Sequence, residues 1–189
     1  MTGLTGKKLS WFLRHGYSDI ASDGYVSVES LIGHLKTTEA HVLRLVDQDS
    51  KTRFSVQLRL GKYYIRANQG HSLPGVNIDM PVVELERCVH STTRVNYLAI
   101  QDQGISRRSR LDIHMYREIR PSFRDCHIWI DAKQAILDGM IFRESENKVI
   151  LSNGFDGWIP PRYFASVEFR PLPNGTTAHT GLAKFDRQD

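Results

Sequence analysis

A chain of 189 residues with 40% hydrophobic residues can bury a core, either as one domain or as two small lobes. No apolar run reaches the roughly eighteen residues of a spanning helix, and Lys7-Lys8 is not followed by an unbroken apolar core, so a soluble protein is expected, cytoplasmic or, in a eukaryote, nuclear. The formal net charge of +4 favours a polyanionic partner, and the two distant cysteines, Cys88 and Cys126, argue against a disulfide framework or a CxxC metal site.

From Thr5 to His15 the apolar positions Leu9, Phe12 and Leu13 recur at helical spacing, with Thr5 as N-cap and Gly16 as the stop. Arg14 and His15 fall on the last turn. There a helix dipole favours cations, so charge compensation and a ligand role are both open. After an Asp23-Gly24 turn and Tyr25-Val26, Ser27 caps a short helix to Leu35. Thr38 caps a third, whose apolar face holds Val42, Leu43, Leu45 and Val46. Phe54, Val56, Leu58 and Leu60 then alternate as a strand, and Gly61-Lys62 turns the chain into a second strand.

That second strand ends in a polar run. Tyr63, Ile65 and Ala67 alternate with Tyr64 and Arg66, so Arg66 is expected opposite Ile65 and presented to solvent. Its planar fork suits phosphate or carboxylate, while Asn68 and Gln69 can orient a second polar ligand. The alternative is a solvated strand end. Five polar groups among the seven residues 66–72 weigh against that.

Residues 72–79, with Leu73-Pro74-Gly75, read as a linker, dividing the chain into lobes 1–72 and 73–189. Short strands are expected around Val82-Val83, Cys88-His90, Ile113-Met115, His127-Ile130, Met140-Phe142, Val149-Leu151 and Ser166-Phe169. Helices are expected from Thr93 to Gln103, with Val95, Leu98 and Ala99 as its apolar face, and from Ala132 to Leu137. The fold class is therefore α+β with antiparallel strands, and the tail after Pro171 is expected to be flexible.

Arg110, Asp112 and His114 lie two apart, so a strand would project all three from one face, as a site or as an ion-pair ladder. His90-Ser91-Thr92 stands between strand and helix and can bind a ligand or cap the helix. The stretch from Asn153 to Pro161 can line a pocket or simply reverse the chain. P-loop, GxGxxG, GxSxG and HExxH signatures are absent.

In chain order, Leu13-Arg14-His15-Gly16, Lys51-Thr52-Arg53-Phe54, the Ile65–Ser72 run, His90-Ser91-Thr92, Ser109-Arg110 with Ile113-His114, and Val149-Ile150-Leu151 with Gly157-Trp158-Ile159-Pro160-Pro161 resemble the RNA 2'-phosphotransferase family, which includes the tRNA-splicing enzymes. The resemblance covers nearly the whole chain, about Lys7 to Arg170. It implies an N-terminal winged-helix RNA lobe and a C-terminal ADP-ribosyltransferase-like lobe that binds NAD+, consumed as co-substrate without a metal. The implied reaction removes an internal RNA 2'-monophosphate through an ADP-ribosylated RNA phosphate. It leaves a 2'-hydroxyl, nicotinamide and ADP-ribose 1'',2''-cyclic phosphate, and the implied partner is RNA, tRNA above all, acted on by a monomer.

The same resemblance assigns Arg14, His15, Arg66 and Arg110 to catalysis. It assigns His90, Ser91, Thr92, Asn68, Gln69, His71, Ser72 and His114 to NAD+, and Lys51 and Arg53 to RNA phosphate. Two residues depart from the family pattern: Ser91 replaces a glycine, and Asp112 replaces a histidine, where a carboxylate beside Arg110 would either weaken the phosphate-binding field or orient a ribose hydroxyl. Two other readings therefore stand beside the first. One is an ADP-ribosyltransferase acting on terminal phosphates of nucleic acid, the other a catalytically silent RNA-binding module.

Overall fold

In the computed structural model, which describes residues 3–17, 19–120, 124–170 and 183–184, the buried apolar side chains gather into two clusters. Each lies in one of two units. The first comprises Met1–Met80, Ser109–Leu111 and Ser145–Asn147; the second comprises Pro81–Arg108, Asp112–Glu144 and Lys148–Asp189. Among the described residues no helix is long and apolar enough to cross a membrane.

The first unit starts with helix α1, Gly6–Trp11, whose N-terminus is closed by Thr5 Oγ1 accepting from the Lys8 amide. The helix does not run unchanged to its expected stop. Residues Phe12–Gly16 widen into a π turn, a form that often marks functional segments because the extra residue per turn re-aims the side chains it carries. Helix α2, Val28–Leu35, is capped by Ser27 Oγ on the Ser30 amide at 3.1 Å, and α3, Glu39–Asp47, by Thr38 Oγ1 on the His41 amide at 3.3 Å. Each such cap is worth about 1 kcal/mol. Leu9, Leu13, Val28, Leu31 and Val42 are all fully buried, so the three helices share one core.

That core is closed by an antiparallel sheet of order β1-β3-β2, built from β1 (Val26–Ser27), β2 (Phe54–Arg59) and β3 (Lys62–Ala67). Arg59 pairs with Lys62, so the β2–β3 loop is Leu60-Gly61, one residue earlier than expected. Both loop residues have positive φ, 48° and 76°, the hairpin geometry whose twist matches that of the strands. Ile65 and Ala67 are fully buried. Strand alternation therefore places Arg66 on the other face.

The second unit is antiparallel throughout. Its largest sheet has the order β12-β11-β7-β4, with β4 at Arg87–Thr92, β7 at Cys126–Asp131, β11 at Phe164–Phe169 and β12 at Ala183–Lys184. Pairs β5 (Ile105–Ser106) with β10 (Trp158–Ile159), and β6 (Ile113–Met115) with β9 (Ile150–Ser152) and β8 (Arg143–Glu144), complete it. Helix α4 spans Arg94–Gln103 and α5 spans Ala132–Leu137. Mixed helix and antiparallel sheet is the α+β class read from the sequence.

Three expectations are corrected. Val82 makes one isolated bridge, to Arg143, rather than a strand, and Met140–Phe142 is not a strand although Met140 and Phe142 are buried. In α4 the expected apolar face is turned outward, with Val95 and Leu98 78% and 66% exposed. The helix is instead rotated so that Tyr97 meets Phe169 edge-on at 5.4 Å and, with Ile100, packs on the core, because one aromatic ring buries more area than Val95 would. Residues 153–161 reverse the chain through mutual backbone bonds of Phe155 and Trp158. The tail after Pro171 lies outside the described residues apart from Ala183–Lys184. Cys88 and Cys126 are free core residues whose thiols burial pushes up to about 12.

Gly104 ends α4 at φ 92°, and a Cβ there would stand 2.5 Å from the Ile159 carbonyl oxygen. Backbone cannot yield as a side-chain end can. Gly104→Ala should therefore cost more than about 2 kcal/mol, read as a lower denaturation midpoint at unchanged m-value. An unaltered midpoint would contradict this packing.

Candidate active site

Backbone hydrogen bonds draw the polar segments of the first unit together. The Ser72 amide donates to the Arg14 carbonyl at 3.1 Å, and the Leu111 amide donates to the His71 carbonyl at 2.9 Å. The π turn, the polar run and the 109–111 segment are thereby tied to one another, which brings Arg14, His15, His71, Ser72 and Arg110 to one place. His15 Nδ1 lies 2.8 Å from Ser72 Oγ. Burial, then the charges of Arg14 and Arg110, lower the His15 pKa, so the ring is neutral at neutral pH.

Arg66 joins this cluster in a different manner from the one expected. Its side chain is only 14% exposed and is lodged rather than presented. The guanidinium carbon sits 4.8 Å from the centre of the Tyr25 ring, Nη1 donates to the Asp23 carbonyl at 3.3 Å, and Nη2 meets Glu146 Oε1 at 3.0 Å. Tyr25 also carries Arg59 at 4.5 Å. The aromatic platform and the carbonyl fix the fork, which lowers the entropy lost when it grips an anion.

His71 is 3% exposed. Burial first, then Arg14, His15 and Arg66, push its pKa down to about 4. Its Nε2 and the Gln69 Oε1 are buried without a hydrogen-bond partner, and such groups are costly unless a ligand satisfies them. Asn68 is spent within the unit: its amide donates to Arg53 O at 2.8 Å, Nδ2 to Thr52 O at 2.8 Å, and Oδ1 faces Ser55 Oγ at 2.6 Å. Arg53 is likewise held, by buried Asp49, through Nε at 2.9 Å and Nη2 at 2.6 Å. Burial alone would raise the Asp49 pKa, but its bonds to Arg53 outweigh that and keep it low. Lys51 is exposed, and its carbonyl accepts from Asn147 Nδ2 at 3.2 Å.

In the second unit, His90, Ser91 and Thr92 are the last residues of β4, and the cap of α4 is Thr93, accepting from the Asn96 amide at 3.3 Å. His90 Nδ1 lies 3.0 Å from the His114 carbonyl oxygen, so β6 orients it. Ser91 Oγ lies 2.9 Å from Nδ1 of the fully buried His127. Thr92 is buried, with Oγ1 accepting from Asn96 Nδ2 at 3.3 Å. Strand β6 begins only at Ile113, and residues 110–112 bend, so Arg110, Asp112 and His114 do not share a strand face. The electrostatic neighbours of Asp112 are Arg143 and Arg107, which lower its pKa while burial, the larger effect, raises it.

Tyr25, Glu146 and His127 were not anticipated. Glu146 is 80 residues from Arg66 and His127 is 36 from Ser91, and no local pattern announces contacts at such separations. Tyr25 was legible only as a strand residue.

Residues 2–154 match the model of the RNA 2'-phosphotransferase, Tpt1/KptA, family. A protein named tRNA 2'-phosphotransferase 1 from Danio rerio is 31% identical, over 92% of this chain and 88% of its own length. The protein of that name from Homo sapiens is 32% identical, over 87% and 75%. A Schizosaccharomyces pombe relative is 35% identical over 86% of this chain, which spans half of that protein's length.

Folded His71 stays neutral down to about pH 4, whereas the unfolded chain protonates it near its ordinary value of about 6.5. Its contribution to stability is thus complete above about pH 6.5 and is lost as pH falls towards 4, up to about 3 kcal/mol. His71→Gln should flatten the fall in denaturation free energy between pH 7 and 4.5. Parallel curves for the variant and the parent would contradict a depressed His71.

Proposed function

The chain belongs to the RNA 2'-phosphotransferase family, and from that premise we propose that it removes an internal 2'-monophosphate from RNA, tRNA being the substrate class of its named relatives, with NAD+ consumed as co-substrate. The observation that carries the reading is the gathering of Arg14, Arg66 and Arg110 with two neutral histidines in one unit. A phosphomonoester bears between about one and two negative charges at neutral pH. Forked guanidinium contacts are the strong way to hold it.

In this reading Arg14, Arg66 and Arg110 clamp the phosphate, and neutral His15, fixed by Ser72, accepts a hydrogen bond from the attacking ribose hydroxyl. NAD+ would supply an activated ribose carbon: the RNA phosphate would join it as nicotinamide leaves, and the neighbouring ribose hydroxyl would then attack that phosphate, the RNA 2'-oxygen leaving as a hydroxyl. The buried Gln69 Oε1 and His71 Nε2 fit such a polar ligand; within the second unit, the His114 carbonyl orients the His90 ring. Neutral groups suit a ribose that gains positive character; cations would not. Three capped helices with a β-hairpin sheet support reading the first unit as a winged helix, and the antiparallel second unit supports an ADP-ribosyltransferase type.

Transfer to terminal phosphates, or RNA binding without catalysis, rested on Asp112 and Ser91. Asp112 has Arg143 and Arg107 as its electrostatic neighbours, and Ser91 Oγ lies against His127 Nδ1; neither observation favours those readings. Incubation with NAD+ and an RNA carrying one internal 2'-phosphate should yield nicotinamide, ADP-ribose 1'',2''-cyclic phosphate and 2'-hydroxyl RNA. Folded protein that gives none of the three overturns the proposal.

The arginines should not serve both transfers equally. As nucleophile the phosphate gives up negative charge, so clamping it aids position but quiets attack. When the phosphate is itself attacked, charge builds on its non-bridging oxygens, and the arginines help without offset. Arg110→Ala should therefore slow the second transfer more, and ADP-ribosylated RNA should accumulate in a quenched time course. A slow variant that never shows this species places Arg110 in binding or the first transfer.

A further inference from the structure

Glu146 brings a carboxylate to the fork of Arg66, with Nη2 at 3.0 Å from Oε1. The two partners differ in how firmly they are set. The Arg66 side chain is 14% exposed and is braced by Tyr25 and the Asp23 carbonyl, whereas the Glu146 side chain is 60% exposed.

The second contact of Glu146 is contested. Ser55 Oγ lies 2.5 Å from Glu146 Oε2 and 2.6 Å from Asn68 Oδ1. The Asn68 amide cannot be turned over without losing Nδ2 to Thr52 O at 2.8 Å, so Ser55 faces two acceptors with one hydroxyl proton. Only one of them can be served at a time. The backbone around Glu146 is anchored independently, Asn147 Nδ2 bonding to Lys51 O at 3.2 Å and Ser145 Oγ to Asn147 Oδ1 at 2.8 Å. The carboxylate can thus leave the fork by a side-chain rotation, with the loop in place.

We propose that Glu146 is an internal competitor for the phosphate, a carboxylate that holds the Arg66 fork and the Ser55 hydroxyl until a phosphomonoester displaces it. The inference rests on the reading of Arg66 as a phosphate-binding arginine. A monoester offers three acceptor oxygens and up to about two charges, against two oxygens and one charge on Glu146, and so prevails. A cyclic phosphodiester product carries a single charge. Against it Glu146 competes on nearer terms, so recovery of Arg66 by Glu146 favours product release.

The test compares binding of two oligoribonucleotides, one with a single internal 2'-phosphate and one with a 2'-hydroxyl at that position, to the parent protein, Glu146→Gln and Glu146→Ala at one fixed ionic strength. Both variants should bind the phosphorylated strand about twofold to fivefold more tightly, the scale of an exposed ion pair, with a smaller change for the other strand. Using both substitutions separates loss of the charge from any effect of one side chain on folding. If the parent prefers the phosphorylated strand and the variants bind it equally or more weakly, Glu146 orients Arg66 or stands aside, and the competitor is refuted while the phosphate site survives. If the parent shows no preference, the phosphate reading of Arg66 fails and the competitor falls with it.

Discussion

Keeping several cations in one small region is the constraint on which the first unit depends. Two unit charges 4 Å apart repel by about 4 kcal/mol at an effective dielectric of 20, so Arg14, Arg66 and Arg110 would drift apart on flexible supports. The supports are not flexible. Ser72 is bonded through its amide to Arg14 and Leu111 to His71, while Arg66 leans on Tyr25. His15 and His71 are both depressed in pKa by burial and by these arginines, which spares the cluster two further charges. The same field that repels a proton from the histidines is one that would draw in an anion such as a phosphate.

The two clusters of polar residues have different origins. That of the first unit depends on the π turn, on a hairpin strand and on two tripeptides distant in sequence. That of the second is laid out along one strand end, where His90, Ser91 and Thr92 alternate in direction and take separate partners: the His114 carbonyl, His127 and Asn96. The departure at Ser91 is absorbed by His127, opposite it across the β4–β7 pair. Ser91 and His127 thus form a cross-strand unit, and the hydroxyl is not left without a partner.

Local chemistry was legible in the sequence. Thr5, Ser27 and Thr38 were readable as caps because a short hydroxyl side chain before an apolar period does one physical job. The alternation through Ile65 and Ala67 placed Arg66 on the right face. What failed was whatever depended on distant neighbours. Arg66 read as solvent-facing because Tyr25 and Glu146 are invisible from its own strand. Val95 and Leu98 read as the inner face of α4 because only the position of Phe169 decides that Tyr97 turns inward. Arg110, Asp112 and His114 read as one face because period two holds only inside a strand, and β6 starts after Asp112. The π turn had no signal beyond Gly16, whose Cβ would crowd Trp11 at 2.9 Å.

The central claim is that Arg14, Arg66 and Arg110 form one phosphate site. The most direct measurement follows the side-chain Nε–Hε resonances of arginines in 15N-labelled protein while an oligoribonucleotide with one internal 2'-phosphate is added. If the account is right, the resonances of all three shift and saturate together, and the 2'-hydroxyl strand leaves them in place. Should Arg66 or Arg110 stay unmoved while Arg14 responds, or should the two strands act alike, the three arginines do not share a phosphate and the account is contradicted.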